Sequence, residues 1–142
     1  MKRRQRIWIH VMLMLLVGVS GCMASAEKAT EQSVSPRQFK LLLDEHRGDP
    51  NVVLLDVRTP QEYKNGHIEG ALLVDFYAND FVDRLKALDR QKSYLIYCRS
   101  GNRSAKTLAI FEKLGFHHSY HLATGIKGWS REKYPLVQPP ER

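Results

Sequence analysis

The sequence predicts an α/β domain in which a central, mostly parallel sheet of about four to five strands is flanked by helices. Apolar segments of strand length alternate along the chain with segments of helical periodicity, and this alternation is typical of α/β folds. Residues 51–56 contain a continuous apolar run without a polar face, which indicates a strand buried on both sides. The functional sites of such sheets lie at the carboxyl ends of the strands.

The positive charge of the chain is concentrated at its N-terminus. The formal net charge is +7 over 142 residues, and Lys2, Arg3, Arg4 and Arg6 account for four of those charges. No acidic residue precedes Glu27, and the chain after the first 21 residues keeps only the remaining +3, without a basic cluster. The length suits one domain with an appendage, and no nucleic-acid partner is expected.

The first 21 residues have the organisation of a bacterial lipoprotein signal peptide. A basic stretch at 2–6 precedes a mostly apolar stretch at 7–19, which is shorter than the roughly 20 apolar residues of a spanning helix. The Val-Ser-Gly-Cys sequence at 19–22 resembles the lipobox, in which the cysteine receives diacylglycerol. The resemblance implies that residues 1–21 are removed and that Cys22 carries lipid, which anchors the protein to a membrane.

Two other interpretations of the N-terminus stay open. An ordinary signal peptide cleaved near Ala24 or Ala26 would release a secreted periplasmic protein, and an uncleaved segment would act as an anchor. Lipidation instead predicts a periplasm-facing protein of the bacterial cell envelope, and the lack of an aspartate at Met23 favours the outer membrane. The small and polar residues of 22–34 are expected to form a flexible tether.

Capping signals place the first two helices of the domain. Ser35 followed by Pro36 has the pattern of an N-cap with proline at the first helical position, and Arg-Gly-Asp-Pro at 47–50 ends that helix. Residues 59–62, Thr-Pro-Gln-Glu, match a capping box and begin a short helix that Gly66 stops. Along the chain, one helix is therefore expected before the first apolar strand and the other after it.

Shorter signals place the elements that follow. Residues 71–74 and 93–97 have the apolar character of strands, and a helix is expected to begin at residues 79–80 between them. The last strand is expected at 118–122 and the last short helix at 125–131. These elements complete the alternation of strands and helices from which the fold class is predicted.

The helix expected over 104–115 has an unusually broad apolar arc. Apolar residues, among them Ala105 and Ala109, cover most of its circumference, and Lys106 and Lys113 mark a narrow stripe that faces solvent. A helix with such an arc is expected to be largely buried.

The two cysteines of the chain stand in different contexts. Cys22 belongs to the lipobox, so no disulfide framework is expected. Cys98 stands where a strand ends and a polar loop leads into a helix, and unpaired N–H groups and the helix dipole favour a thiolate there. Arg99 and Arg103 add positive charge. Cys98 is therefore the candidate nucleophile, and a buried strand-end cysteine without reactivity is the alternative.

Three parts of the sequence form motifs: the stretch at 55–63 together with Gly-His-Ile-Glu-Gly-Ala at 66–71, the loop that begins at Cys98 with the helix start at 98–104, and Gly-Ile-Lys-Gly-Trp at 125–129. Together they resemble the single-domain rhodanese family of persulfide-forming sulfurtransferases. The resemblance implies that residues 35–138 form a rhodanese-like domain.

This resemblance implies a two-step transfer of sulfur. The Cys98 thiolate takes the sulfane sulfur of thiosulfate or a similar anion, and the resulting persulfide passes it to a thiophilic acceptor, cyanide or a thiol. No cofactor and no metal is implied, because the covalent persulfide carries the sulfur. The alternative is a persulfide-carrying or partner-binding module without turnover. The loop residues implied to bind the substrate are Arg99, Ser100, Gly101, Asn102 and Arg103.

The length of this loop argues against the hydrolysis of phosphate esters. Four residues lie between Cys98 and Arg103, one fewer than in tyrosine phosphatases, so the pocket should fit a sulfur atom better than a phosphate. Phosphatases also need a general acid, and the loop contains no aspartate. Gly101 lets the backbone turn tightly, and Asn102 tolerates unusual backbone angles. Arg103 either attracts the donor anion or ties the loop to the domain.

Other polar residues receive structural interpretations. Asp56 and Arg58, at the end of the first apolar strand, are expected to form a salt bridge that organises the nearby loops rather than to act in catalysis. The resemblance implies that His67 is a hydrogen-bonded structural histidine in a turn. No metal is expected at the three histidines near the last strand, which lack a nearby carboxylate or cysteine: His117, His118 and His121.

Overall fold

A computed structural model describes residues 30–139, in which strands and helices alternate. In chain order the elements are β1 (Thr30–Val34), α1 (Pro36–Glu45), β2 (Val52–Asp56), α2 (Pro60–Lys64), β3 (Leu72–Leu73), α3 (Phe81–Lys86), β4 (Ser93–Tyr97), α4 (Asn102–Lys113), β5 (His118–Leu122) and α5 (Gly125–Arg131). All five strands are parallel and lie in the order β1-β5-β4-β2-β3. The predicted fold class, a parallel sheet flanked by helices, is confirmed.

The N-terminal edge of the sheet differs from the prediction. β1 pairs in parallel with β5, with Val34 beside Leu122, so the tether predicted over 22–34 is wrong for residues 30–34. An edge strand is held by backbone hydrogen bonds to one neighbour. It does not require apolar side chains at alternate positions, so a polar sequence can form it. The predicted signal peptide, Cys22 and the first part of the tether lie outside the described residues. Within residues 30–139, no helix has the length and apolar character needed to cross a membrane.

The capping signals of the first two helices are confirmed. The Ser35 hydroxyl accepts the N–H of Gln38, and the Gln38 side chain accepts the N–H of Ser35. Thr59 and Glu62 form the same reciprocal pair at the start of α2. These bonds satisfy N–H groups that the first turn of a helix leaves unpaired. The cap of α2 also fixes the Glu62 carboxylate beside the carboxyl edge of the sheet.

The sheet has a hydrophobic core on each face because side chains alternate in direction along each strand. On β4, Tyr94 and Ile96 pack against residues of α3 and α4, whereas Leu95 and Tyr97 pack against residues of α1 and α5. Cys98 follows the same alternation and belongs to the core on the α4 side. The period of β4 therefore turns the cysteine sulfur toward the start of α4.

Helix α4 differs from the prediction in its burial. It begins at Asn102, and Ala105 and Ala109 are exposed, so the largely buried helix expected from its apolar arc is wrong. Two hydroxyl residues, Ser104 and Thr107, are instead fully buried beside the apolar side chains. The Thr107 hydroxyl donates to the Arg103 carbonyl at 2.9 Å, and the Ser104 Oγ lies 3.0 Å from the Gly101 carbonyl oxygen, so both buried hydroxyls have polar partners in the preceding turn.

Candidate active site

Three loops meet at the carboxyl edge of the sheet, and one of them carries the cysteine. Residues 57–59 follow β2, residues 98–101 follow β4, and residues 123–124 follow β5. Because β2, β4 and β5 are parallel neighbours, their carboxyl ends lie side by side. We refer to residues 98–103 as the cysteine loop.

Hydrogen-bond donors of the cysteine loop and of Ser104 contact the Cys98 sulfur. The side chain is buried, and its Sγ accepts the Gly101 N–H at 3.1 Å and lies 3.5 Å from the Ser104 Oγ. Burial alone would raise the pKa of the thiol. The hydrogen bonds from the Ser104 hydroxyl and from backbone N–H groups, including that of Ser100, outweigh burial and lower the pKa below its ordinary value. The loop therefore favours the thiolate, the nucleophilic form.

The shape of the loop depends on a left-handed glycine. Gly101 has φ +99°, and a Cβ at this position would lie 1.9 Å from the Ala123 carbonyl oxygen. Asn102 is the first residue of α4 and does not have a positive φ, so it does not adopt the unusual backbone angle that asparagine tolerates. The close approach of Gly101 to Ala123 brings the loop against the β5–α5 connection and lets the Gly101 N–H point at the sulfur.

A second glycine closes the contact from the other side. Gly125 has φ +59°, and a Cβ there would lie 2.4 Å from the Arg99 carbonyl carbon. The N–H of Ile126 donates to the Cys98 carbonyl at 2.8 Å, and the N–H of Lys127 donates to the Arg99 carbonyl at 3.2 Å. The start of α5 thus holds the backbone of the cysteine loop in place.

A buried polar chain extends from the sulfur to β5. The Ser104 Oγ lies 3.1 Å from the His121 Nδ1, and His121 is buried, which lowers its pKa. The sequence patterns give Ser104 no role at the site, and they place His121 only in a histidine cluster at which no metal is expected. The signal that would have found His121 is its position at the carboxyl end of a strand beside β4. Among residues 30–139, no group of three or more His, Cys, Asp or Glu side chains is arranged to hold a metal ion.

Arg103 ties the loop to α2. Its Nη1 and Nη2 each donate to a Glu62 carboxylate oxygen at 2.8 Å, and its guanidinium lies over the Tyr77 ring. The hydrogen bond from Arg103 and those from Thr59 outweigh the opposing effect of burial and hold the pKa of Glu62 at about 2. Two roles were expected for Arg103, to attract the donor anion or to tie the loop to the domain. This geometry matches the second role. Two of the five guanidinium N–H donors are therefore engaged by Glu62.

Asp56 and Arg58 form a buried ion pair. The Asp56 carboxylate accepts the Arg58 Nη2 at 2.7 Å, the Arg58 Nε at 3.0 Å and the Arg58 backbone N–H at 2.9 Å. Arg58 also donates to the Gly66 carbonyl at 2.9 Å, which connects the pair to the loop after α2. Buried His67 stacks on Tyr63 and contacts the Tyr63 carbonyl through Nδ1 at 3.1 Å. These contacts match the structural interpretation of all three residues.

The outer surface of the cysteine loop borders two openings. An open cleft of about 1040 Å³ lies between the loop and α5, and a smaller one of about 330 Å³ lies toward Tyr77. Arg99 and Ser100 line both openings, and Asn102 and Arg103 line the smaller one. The loop residues therefore border both openings, and their substrate-binding role stays a prediction.

Comparison with known proteins identifies relatives of most of the chain. A family model described as the rhodanese-like domain matches residues 40–132. The probable adenylyltransferase/sulfurtransferase MoeZ of Mycobacterium tuberculosis is 33% identical over 78% of this chain, and the match spans 28% of the length of that protein. The thiosulfate sulfurtransferase GlpE of Pseudomonas paraeruginosa is 32% identical over 75% of this chain and 89% of its own.

The similarity extends to proteins of other names and to solved structures. A tRNA uridine(34) hydroxylase of Legionella pneumophila is 38% identical over 55% of this chain and 32% of its own length. The crystal structure of a rhodanese-related protein from Thermoplasma volcanium superimposes with a TM-score of 0.62 at 29% identity, and it covers 76% of this chain and 99% of that one. The domain therefore occurs both alone and as a part of longer proteins.

Proposed function

Because the chain belongs to the rhodanese-like domain family, we propose that it is a sulfurtransferase that carries sulfane sulfur as a persulfide on Cys98. The observation that carries the proposal is the position of Sγ beneath the cysteine loop, where uncharged N–H and hydroxyl donors stabilise a thiolate. Relatives of this chain that are named sulfurtransferases support the class of reaction.

The first step transfers sulfur from a donor to the enzyme. The Cys98 thiolate attacks the outer sulfur of thiosulfate, a new S–S bond forms, and the bond within thiosulfate breaks so that sulfite leaves with its electron pair. The product is the Cys98 persulfide anion. The donors that hold the thiolate also face the inner sulfur of the persulfide, so they stabilise the anion both before and after the step. Exposed Arg99, at the mouth of both openings, attracts the anionic donor.

The second step returns the enzyme to its starting state. Cyanide or a thiolate attacks the outer sulfur of the persulfide, the S–S bond breaks, and its electron pair stays on the Cys98 sulfur. Charge and electrons balance without an oxidant or a reductant, so the transfer requires no cofactor. No general base is needed either, because the loop holds the cysteine as the thiolate.

A thiosulfate–cyanide transfer assay with the full-length protein tests the proposal. The wild-type protein is expected to form thiocyanate, and Cys98→Ser is expected to form none above the uncatalysed rate. Cys22→Ser, the matched control at the second cysteine of the chain, is expected to keep the transfer rate. Equal rates for Cys98→Ser and the wild type would refute the proposal.

The alternative function, a persulfide carrier without turnover, differs in the second step alone. The deep burial of Cys98 favours this alternative, because an acceptor must reach a sulfur that the loop covers. Intact mass separates the two: a persulfide that forms with thiosulfate and persists with excess cyanide and with small thiols indicates a carrier. A persulfide that is discharged by either acceptor indicates a transferase.

The N-terminus supports a lipid-anchored location for this activity. We infer from the lipobox at 19–22 that the mature chain begins at a lipidated Cys22 and faces the periplasm, with the outer membrane favoured. The mass of the mature protein extracted from membranes is expected to include the lipid. An unmodified chain that begins near Ala24 or Ala26 would instead establish a secreted periplasmic protein.

A further inference from the structure

The buried hydroxyl of Ser104 stands between the Cys98 sulfur and the ring of His121. We propose that His121 is a positioning residue, whose Nδ1–H donates to the Ser104 Oγ and so directs the hydroxyl proton at the Cys98 sulfur. The inference deepens the proposed sulfur transfer, on which its value for catalysis rests, because it names the group that orders the side-chain donor of the cysteine. The contact itself can be measured without any sulfur donor.

The fold places His121 on the face of β5 that packs against α4. Its neighbours in sequence, Tyr120 and Leu122, pack in the core on the α1 and α5 side of the sheet. Because side chains alternate along a strand, His121 points to the other side. Its ring is buried there, and its Nδ1 lies 3.1 Å from the Ser104 Oγ. The period of β5 therefore brings an imidazole to the hydroxyl that contacts the sulfur.

The surroundings of His121 favour a neutral ring. Its register neighbours are Ile96 on β4 and Ser33 on β1, and α4 contributes Ser104. Among the side chains that the structure describes, none forms an ion pair with His121, and the titratable group that Ser104 connects to it is the Cys98 thiol. Burial lowers the pKa of His121. Near neutral pH the ring therefore carries a single N–H, on Nδ1 or on Nε2.

The number of hydrogen bonds at the Ser104 hydroxyl selects between these two positions. The Oγ lies 3.0 Å from the Gly101 carbonyl oxygen, 3.1 Å from the His121 Nδ1 and 3.5 Å from the Cys98 Sγ. A carbonyl oxygen and a thiolate can only accept, and the hydroxyl has one proton. If Nδ1 also only accepted, three acceptors would compete for that proton and a single hydrogen bond would form. If Nδ1 carries the ring proton, the Oγ accepts one hydrogen bond and donates another.

The negative charge of the thiolate decides where the hydroxyl proton points. A hydrogen bond to an ionised acceptor is stronger than one to a neutral acceptor, so the proton faces Sγ rather than the Gly101 carbonyl when Cys98 is ionised. The N–H of His121 polarises the hydroxyl that it contacts and strengthens the donation of that hydroxyl. His121 thus supports the thiolate through Ser104.

The pH dependence of Cys98 alkylation by iodoacetamide tests the inference. The full-length protein carries Cys22→Ser, so that Cys98 is its single thiol. His121→Leu removes the N–H and is expected to raise the pKa of Cys98, which slows alkylation below that pKa by roughly 2- to 5-fold. His121→Asn places an amide N–H near the position of Nδ1 and is expected to keep the rate within about 2-fold of the wild type. The control His117→Leu, at an exposed histidine before β5, is expected to keep the profile.

Two further measurements show whether His121 acts through Ser104. In a Ser104→Ala background, His121→Leu is expected to leave the pKa of Cys98 where Ser104→Ala alone puts it, because the hydroxyl that joins the two residues is gone. Nitrogen-15 NMR of the histidine rings, at a pH at which Cys98 is ionised, is expected to show the His121 proton on Nδ1. The signals of this ring are assigned by their absence in His121→Asn.

Three results would overturn the inference. They are a ring proton on Nε2, an unchanged or lowered pKa of Cys98 in His121→Leu, and an equal effect of His121→Leu with and without the Ser104 hydroxyl. A lowered pKa would mean that the hydroxyl proton had pointed at His121. If His121→Leu does not fold, the position of the ring proton decides alone. A protein that forms no persulfide with thiosulfate would instead contradict the proposed function, and none of these measurements uses a sulfur donor.

Discussion

Two loops leave neighbouring strands at the carboxyl edge of the sheet, and they stabilise a buried anion in opposite ways. At the end of β2, the Asp56 carboxylate is bound by the backbone N–H and the guanidinium of Arg58. After β4, the Cys98 sulfur is met by a backbone N–H and a hydroxyl, neither of which carries a formal charge. The same edge of one sheet therefore holds one ion pair and one anion supported by dipoles.

This difference separates a structural anion from a reactive one. In the ion pair, the guanidinium occupies the carboxylate oxygens, and the pair stabilises itself without any need of a ligand. In the cysteine loop, the dipoles lower the pKa of the thiol but leave the sulfur able to form a bond. Under the proposed function, the first arrangement holds the loops in place and the second presents the nucleophile.

The largest expected effect follows from breaking the ion pair. Arg58→Met removes the cationic partner of the buried Asp56 carboxylate and is expected to lower the free energy of unfolding by about 3–5 kcal/mol. The pKa of Cys98 in the protein that remains folded is expected to stay at its wild-type value, because Arg58 does not contact the sulfur. Denaturant unfolding and the pH dependence of cysteine alkylation measure the two quantities.

An exposed ion pair provides the control for this variant. Arg84 pairs with Asp80 at 2.8 Å on the surface of α3, and Arg84→Met is expected to change the free energy of unfolding far less, because exposed pairs contribute little. Equal losses for Arg58→Met and Arg84→Met would show that burial does not distinguish the two pairs. A changed pKa of Cys98 in Arg58→Met would show that the two loops are not independent.

A smaller loss of stability is expected at the turn of the cysteine loop. Gly101→Ala combines a left-handed backbone with a Cβ 1.9 Å from the Ala123 carbonyl oxygen, and it is expected to lower the free energy of unfolding by roughly 2–3 kcal/mol. The displaced loop should also lose the N–H that faces Sγ, so sulfur transfer falls in the protein that stays folded. Thermal unfolding and the transfer assay check both effects.

Gly115→Ala is the matched control for the glycine of the loop. Gly115 has φ +80°, but a Cβ there meets nothing within 4 Å. Only the backbone strain of about 1 kcal/mol is expected from this variant, with normal transfer activity. If the two glycine variants lost the same stability and kept the same activity, the close contact with Ala123 would have no role.

The third variant is expected to change the pKa of Cys98 more than the stability of the fold. Ser104→Ala removes the hydroxyl 3.5 Å from Sγ and is expected to raise the pKa of Cys98, because one donor to the thiolate is lost. The thiolate fraction at a given pH falls, so the acid limb of the rate profile for alkylation or persulfide formation moves to higher pH. Stability is expected to fall by about 1 kcal/mol, as for the loss of one buried hydrogen bond.

Thr107→Ala provides the comparison on the same helix. The Thr107 hydroxyl is buried and donates to the Arg103 carbonyl at 2.9 Å, without contact to the sulfur. This variant is expected to lose similar stability and to keep the pKa of Cys98. An unchanged rate profile in Ser104→Ala, or an equal shift in Thr107→Ala, would contradict the role of the Ser104 hydroxyl.

The smallest effect concerns the ion pair of Glu62 with Arg103, which ties the cysteine loop to α2. The pKa of Glu62 is lowered from 4.5 to about 2, so ionised Glu62 stabilises the folded state above pH 4.5 and loses that contribution as the pH falls toward 2. Because both side chains are partly exposed, the contribution is about 1 kcal/mol. The difference in unfolding free energy between the wild type and Glu62→Gln should be constant above pH 5 and shrink below it. A difference that grew on acidification would contradict the ion pair with Arg103.

The strands and helices that carry the two loops can be predicted from the sequence better than the contacts between them. Apolar runs and capping residues locate β2, β4 and the helices, because these signals act within a few residues. The position of Cys98 at a strand end follows from the same local pattern. The pairing of Glu62 with Arg103 joins residues that are 41 positions apart, and only the folded sheet brings them together.

Three features of the structure were not predicted from the sequence, and each has a physical reason. β1 is held by backbone pairing at a sheet edge, so its polar side chains carry no apolar signal. The buried face of α4 uses Ser104 and Thr107, whose hydroxyls are satisfied by their own helix, in place of the alanines on the outer face. His121 is polar on a buried strand because it contacts Ser104, a partner on another element.

The intact mass of the full-length protein, measured after thiosulfate treatment and again after cyanide, tests the central claim most directly. The account predicts that thiosulfate adds the mass of one sulfur atom, that the addition maps to Cys98, and that cyanide removes it with formation of thiocyanate. Cys98→Ser should gain no sulfur. A wild-type protein that gains no sulfur, or a gain that survives in Cys98→Ser, would contradict the account.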